Sequence, residues 1–393
     1  MGAISAVPGP GMNVAVLRKQ RGWGQHRLAQ ESGISASMLG KIERGERALT
    51  QGVAASIARA FALPLEEVLG QAPVPSEDSL KALNSAIRRF DLPREPDASR
   101  QELKAALTEM TKLRENAKLN EVLSKLPELV SGVTNFAHAA ATPEGWAMVA
   151  DAYSTVYWLA ARHRWMMLAD LAVTKQKLAA QQADPLAQAI SARDEAGVYL
   201  NMGEFEDGLS VVDRAITLIE SGAPEGPKRS YALGILHLRG MTLAGRLRHK
   251  TTADQHIARA WALSEEFNAD VDRLGIHFGP QNTAVHVVAT YGDLHRHAKA
   301  IETMEELTRN PQERPLKLPP TRTSPLRMNV ARSKLALGDR DGALTELEVA
   351  WALAPQMARV HPTSQELLRV LTTMHKRSNP RLTRLARRAN IRF

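Results

Sequence analysis

The stretch Val16-Leu-Arg-Lys-Gln-Arg-Gly-Trp-Gly-Gln-His-Arg-Leu-Ala-Gln-Glu-Ser-Gly-Ile-Ser-Ala-Ser-Met-Leu-Gly-Lys-Ile-Glu-Arg-Gly45 sets short runs of helical periodicity between glycines. Gly22 ends a first helix, and Gln25 to Glu31 forms a second of about two turns. Gly33 supplies the left-handed residue on which the chain reverses. Ser35 then caps a third helix, its hydroxyl accepting a backbone N–H near Met38. Leu28, Ala29, Ile34, Leu39 and Ile42 fill the angle between helices two and three. Val53, Ile57, Phe61, Leu65 and Val68 come from two further helices, which closes a five-helix core. Two short helices that cross at so tight a corner need small residues there, and Ala29 and Gly33 provide them.

This corner leaves the N-terminal face of helix three exposed, and the major groove of B-DNA admits one helix. The residues resemble the lambda-repressor/Cro-like (XRE) helix-turn-helix pattern, Thr-Gln-x-x-Leu-Ala-x-x-x-Gly-Ile-Ser-x-x-x-Leu-Ser-x-Ile-Glu-x-Gly, over about residues 13–70. Gly24 replaces the usual Thr cap, and Gly40 stands where Ser is common, which removes a potential side-chain contact. The resemblance implies roles by position. Gln25 anchors a phosphate at the start of helix two. Ala36, Ser37 and Lys41 take the base-facing positions, with Lys41 suited to guanine O6/N7 and Ala36 to a thymine methyl. Ser35, Arg44 and Arg47 hold phosphates, and Glu43 matches a structural glutamate. Few long polar groups face the bases, so DNA shape and dimerisation are expected to add specificity.

Outward from this block the chain divides into five parts. Residues 1–11 are small, Gly- and Pro-containing and expected to be mobile; 12–70 is the helix-turn-helix block. Residues 71–126 are a linker, with Pro73 and Pro75 opposing helix, followed by connector helices. Leu103, Leu107, Met110 and Leu113 share a helical face there, for packing on the next domain or for a dimeric coiled coil. Residues 127–375 alternate apolar helical segments with Gly, Pro and polar breaks. Gly338-Asp-Arg-Asp-Gly-Ala343, with Leu347, Ala350 and Pro355, resembles a tetratricopeptide unit. Steps of forty-five residues back from Ala343 reach Ala298, Ala253 and Gly208, and Ala169 lies thirty-nine before Gly208. Gly203 and Gly292 read as the matching turns, and Ala215, Ala260 and Ala350 repeat a second small position that Glu305 breaks. The fold class is therefore all-α: a five-helix lambda-repressor-like domain and a right-handed α-solenoid of about five tetratricopeptide-like pairs. Residues 376–393 carry seven basic residues and no acid, suited either to docking on the last repeat through Leu382, Leu385 and Ile391 or to nonspecific DNA contact.

A helix-turn-helix fused to such repeats resembles the Rgg/PlcR-type peptide-sensing regulators and the long XRE regulators of actinobacteria. Phe278-Gly-Pro-Gln-Asn282, with Val285-His286, and the ending His361-Pro through Arg384-Leu-Ala-Arg-Arg are similar to the latter. A solenoid offers a concave groove for a peptide or small molecule, and Arg193, Asn201, Asn282, Asn329 and Arg332 are its candidate polar contacts, with capping or solvation as their alternative. Dimerisation alone is the alternative role for the whole domain. The chain has no Cys, which removes disulfides, thiolate metal sites and cysteine nucleophiles. The net charge of +9 is compatible with nucleic acid. No phosphate loop, nucleophile elbow, metal set or cofactor motif is present; His295 and His297 are read as projecting from opposite sides of a helix. No apolar run reaches a membrane span and no signal peptide is evident, so a cytoplasmic location is expected. The expected protein is a non-enzymatic, homodimeric transcription regulator on an inverted-repeat, double-stranded operator. The alternative is a repeat-based adaptor whose N-terminal module binds protein.

Overall fold

A computed structural model describes residues 10–61, 63, 68, 77–222, 226–312, 315–374 and 379–389. The chain forms two compact units, Met1–Glu77 and Asp78–Phe393. In the first, α1 (Pro10–Gln20), α2 (Gln25–Ser32), α3 (Ala36–Glu43) and α4 (Gln51–Phe61) enclose Val14, Leu17, Leu28, Ala29, Leu39, Ile42, Ala54, Ile57 and Phe61. Each fully buried Leu or Ile here contributes about 1.5–3 kcal/mol. Val68 is buried with them, whereas Leu65 and the rest of the expected fifth helix lie outside the described residues. So do residues 1–9 of the segment expected to be mobile, and 71–76 of the linker. Gly11 belongs to α1 and fits against α3, where a Cβ would stand 1.8 Å from the Ile42 carbonyl oxygen. It is therefore part of the packed domain.

The second unit starts earlier than the predicted 127. Its first helices are α5 (Glu77–Arg88), α6 (Arg100–Glu115) and α7 (Leu119–Ala140). Leu83, Ile87, Phe90, Leu103, Leu107 and Met110 share one core with α7 and the helices after it. These segments are thus integral to the repeat domain, and the Leu103 face is covered by its own chain. Pro127, at the expected start of the repeat domain, lies inside α7.

Five helix pairs follow: α8 (Pro143–His163) with α9 (Met166–Ala180), α10 (Pro185–Met202) with α11 (Phe205–Gly222), and α12 (Pro227–Leu247) with α13 (Lys250–Ser264). Then come α14 (Pro280–Asp293) with α15 (His297–Thr308), and α16 (Pro320–Ala336) with α17 (Arg340–Leu353). Every pair turns on one left-handed residue: Arg164, Gly203, Arg248, His295 and Gly338, with φ of 61, 88, 59, 59 and 90°. The second helix starts two residues later, and three residues further on a small buried residue meets the first helix: Ala169, Gly208, Ala253, Ala300 and Ala343. Constant forty-five-residue stepping fails at the fourth pair. Ala298 is exposed and Ala300 is the buried contact. Gly292 is no turn either, since it lies within α14 under the Arg332 guanidinium. The intervals between turns are 39, 45, 47 and 43 residues, from helices of unequal length and one insertion.

That insertion is a hairpin, β1 (Val271–Arg273) and β2 (Ile276–Phe278), the one sheet among the described residues. Leu274 and Gly275 form its two-residue loop with φ of 51 and 80°, the positive values that match strand twist. Phe278 fills a gap over Gly234 of α12, where a Cβ would stand 2.2 Å from the ring. Asp270 accepts the Gln281 and Asn282 N–H groups at 2.8 and 2.7 Å and so caps α14.

The array's two ends meet. After α17, α18 (Pro355–Val360) packs on α8, and α16 packs on α6. Ala117, Ala354 and Met357 form a small apolar joint, and the Asn120 N–H donates to Gln356 Oε1 at 3.3 Å. The final helices, α19 (Pro362–Met374) and α20 (Pro380–Arg388), pack as an end cap. Leu382 and Leu385 are buried against the last pair, Arg381 pairs with Glu348, and Arg388 lies 5.3 Å over the Trp351 ring. The described part of the basic segment therefore docks; Lys376, Arg377, Ile391 and Arg392 lie outside the described residues. No described helix is long and apolar enough to cross a membrane.

Candidate nucleic-acid interface

The α2–α3 corner is built as the sequence requires. Gly33 ends α2 at φ 67°, and Ser35 Oγ accepts the Met38 N–H at 3.1 Å, so α3 starts at a satisfied cap. Leu28, Leu39 and Ile42 are fully buried, which fixes how α3 is rotated about its axis. Ser37, Lys41 and Arg44 then fall at positions i, i+4 and i+7 on one stripe, and all three are exposed. Ser35 and Arg47 are exposed as well. Ala36 is only half-buried but packs partly into the core, so less of its methyl is presented outward.

Beneath this stripe lies a polar clamp. Arg18 Nε and Nη2 donate to the two oxygens of Glu43 at 2.7 and 2.8 Å, and Gln25 Nε2 donates to the same carboxylate at 2.7 Å. Arg18 Nη1 also holds the Trp23 carbonyl at 2.8 Å. Burial pushes the Glu43 pKa up, but the hydrogen bonds from Arg18 and Gln25 outweigh it and hold the group below its ordinary value. The clamp ties α1, the first residue of α2 and the last of α3 into one frame. It also engages the Gln25 amide nitrogen, the side chain that the sequence assigned to a phosphate.

The sequence reading of Gly40 is corrected. Gly40 is buried, and a Cβ would stand 3.2 Å from Arg44 Nη1 and 3.7 Å from Gln25 Oε1. A serine there would press on the Arg44 guanidinium rather than reach outward. Arg44 carries an unforeseen partner: its Nε and Nη2 donate to Glu46 at 2.7 and 3.0 Å. This exposed pair is weak and salt-screened, so a phosphate can replace the carboxylate. The neighbouring Arg27 lies 4.5 Å over the Trp23 ring.

The candidate groove residues separate. Arg193 and Asn201 line one cavity of about 250 Å³ within the second unit. Asn282 is buried beside it, its Nδ2 donating to the His277 carbonyl at 2.6 Å, which holds β2 to α14. Asn329 Nδ2 donates to the Pro325 carbonyl at 3.1 Å. Arg332 binds Asp293 at 2.7 Å and the Ala289 carbonyl at 3.0 Å, holding α16 to α14. Neither Asn329 nor Arg332 lines the cavity. His295 and His297 are not on opposite sides of a helix: His295 is the left-handed turn residue, edge-on to His297 with ring centroids 5.7 Å apart. Glu115, Asp272 and His277 gather their ligand atoms within 4.8 Å. His277 Nε2 lies 3.0 Å from Glu115 Oε1 without a hydrogen bond, burial keeps the ring neutral, and the nearby Arg114 and Arg322 oppose a cation there.

Residues 14–68 match the helix-turn-helix family model and are a helix-turn-helix domain. The HTH-type transcriptional regulator SutR of Escherichia coli (strain K12) is 40% identical over 62 residues, covering 15% of this chain and 35% of SutR. The chain thus spans about a third of that curated relative. Among solved structures, the Bacillus thuringiensis PlcR complex with the peptide PapR7 and DNA is similar at 13% identity and a TM-score of 0.37, over 77% of this chain and 96% of that one. The PrgX/iCF10 complex is similar at 10% identity and a TM-score of 0.26, over 94% and 99%. The apo competence regulator ComR of Streptococcus vestibularis is similar at 14% and 0.24, over 72% and 98%.

Proposed function

We propose that this chain is a non-enzymatic DNA-binding transcription regulator that inserts α3 into the major groove. The observation that carries this reading is the exposed Ser37–Lys41–Arg44 stripe, set on a capped helix whose orientation the Arg18–Glu43–Gln25 clamp fixes. Lys41 offers an ammonium to a guanine edge. Ser37 reads hydroxyl-compatible edges, and Arg44, Arg47 and the N-terminal N–H groups of α2 and α3 hold phosphates. One helix presenting so few long side chains discriminates weakly. The regulator therefore acts as a homodimer on an inverted repeat, its two recognition helices roughly 34 Å apart, one DNA turn.

The repeat domain serves this assembly as its effector-responsive part. An effector changes DNA affinity only by favouring one arrangement of the two readers over another. PlcR is found in complex with the peptide PapR7 and DNA, which is consistent with an effector for this chain.

Selection of duplexes from a random pool, followed by gel-shift titration of the winning site, tests the DNA reading. Lys41→Ala with Arg44→Ala should weaken binding by at least two orders of magnitude and lower the salt slope by about one or two counterions. If the folded double variant keeps wild-type affinity and salt dependence, α3 is not the reading helix and the module binds something other than DNA.

A further inference from the structure

Where the two ends of the helix array meet, they border a partly open chamber of about 250 Å³. Its charge is one-sided. Arg114, Arg162, Arg164, Arg193, Arg239 and Arg322 line it from six different helices and turns, and no carboxylate does among the described residues. Arg193 is balanced by the buried Asp194, whose other oxygen already accepts from Ser154 and Gln176 at 2.6 and 3.2 Å. The other five arginines form no salt bridge with any described residue. Arg114, only 3% exposed, donates Nη1 to the Leu274 carbonyl at 3.2 Å and leaves Nε without a partner. Nε of Arg162 and of Arg322 is likewise buried and unpaired.

Neutral carbonyls orient these guanidiniums without neutralising them. Arg162 donates to the Trp158 carbonyl and Arg239 to the Arg193 carbonyl. The Trp158 ring carries Arg162 at 4.2 Å and Arg114 at 5.5 Å, two cations on one indole. Gly197 makes room for the arrangement, since a Cβ would stand 2.0 Å from Tyr157 Oη and 3.0 Å from Arg239 Nη2. Burial first, then the neighbouring guanidiniums, push Arg322 down to about 9. The chamber histidines add no charge at neutral pH, because burial pushes His361 down to about 4. Buried or half-buried cations without a paired carboxylate are costly, and an anion bound among them would offset that cost.

We propose that this chamber binds a compact organic polyanion, a small molecule carrying at least two carboxylate or phosphate groups. Guanidinium forks on several walls match bidentate oxyanion recognition, and Trp158, Tyr157, Met357 and Pro325 give the apolar remainder of the molecule a surface. The volume lies just under the roughly 300–1,000 Å³ of typical ligand sites, which suits a compact occupant over an extended chain. Arg164, at a turn, is the exposed member of the lining. The proposal is independent of DNA binding by the N-terminal domain.

The test is calorimetric titration of the full chain at fixed ionic strength with tricarballylate and, separately, pyrophosphate, with acetate and chloride as monovalent controls. At least one polyanion should bind saturably at one per chain, and which arm responds distinguishes carboxylate from phosphate chemistry. Arg322→Met should weaken binding at least tenfold while raising the melting temperature of the unliganded protein, because a half-buried charge without a counter-ion is gone. Arg164→Ala, at an exposed position, should weaken binding without touching the core and serves if Arg322→Met misfolds. The exposed Arg214→Met should change nothing. Absence of binding by both polyanions, or equal binding by wild type and the two chamber variants, overturns the proposal.

Discussion

The helix-turn-helix should depend on the Glu43 carboxylate more than on any apolar side chain of α3. Glu43→Ala leaves Arg18, whose side chain is 10% exposed, without its counter-ion, against 5% exposure for Glu43 itself. Removing one partner of a buried pair costs about 3–5 kcal/mol. The domain matched over residues 14–68 is small enough that its whole stability is about 3–8 kcal/mol. Even the low end therefore consumes a large share, and 3 kcal/mol is roughly a hundredfold in opening equilibrium. Hydrogen-exchange mass spectrometry of the full chain reads this directly. Amides of α1–α3 should lose about a hundredfold protection while α8–α12 stay unchanged. The double variant Arg18→Met/Glu43→Leu should recover most of it, since neutral packing replaces the pair. The sign with pH follows from the lowered Glu43 pKa. The stabilisation is present above the unfolded value near 4.3 and is lost as pH falls through the folded one, so wild type and variant should converge in acid. A protection loss under about threefold, or a double variant no better than Glu43→Ala, would refute the clamp.

Three further outcomes are expected. Gly234→Ala forces a methyl into the Phe278 ring and should cost about 1–3 kcal/mol, read as a lower melting temperature; an unchanged value would show that the hairpin yields freely. Arg248→Gly, at an exposed turn with φ 59°, should stabilise by up to about 1 kcal/mol in urea titration, and destabilisation would mean that the side chain makes a contact outweighing the backbone cost. His237, hydrogen-bonded to His256 at 2.9 Å, is pushed down to about 3 by burial, then by His256 and Arg259. Its neutral form is required in the fold while the unfolded chain takes up a proton near 6.5, so stability falls between about pH 6.5 and 3 by up to about 1.4 kcal/mol per unit. His237→Asn should flatten that stretch of the melting-temperature profile.

The α2–α3 corner was legible because everything that shapes it is local: a glycine at the reversal, a cap three residues before its acceptor's partner, and apolar residues at helical spacing. The clamp was not, because Arg18 and Glu43 are twenty-five residues apart and both read as ordinary surface charges. The repeat pairs were recognisable by their small residues, yet the register slipped at Ala298. Three of the five turns place Arg or His, not Gly, in the left-handed position, so glycine was a misleading marker. The arginine chamber is the clearest case of non-local information. Arg193 was singled out, but Arg114, Arg162, Arg239 and Arg322 converge from helices scattered over more than two hundred residues. They stand at different depths of their helices, and Arg114 precedes the first pair, so no periodic pattern in the sequence marks them.

The joint of Ala117 with Ala354 and Met357 has a consequence for how such a chain can change. An open array tolerates gain or loss of a unit, since each neighbour sees only the next. Here a sixth pair would part the seam, and a deletion would draw it into a clash. Copy number is therefore locked by geometry, while loop lengths and the residues facing inward can change without parting the seam.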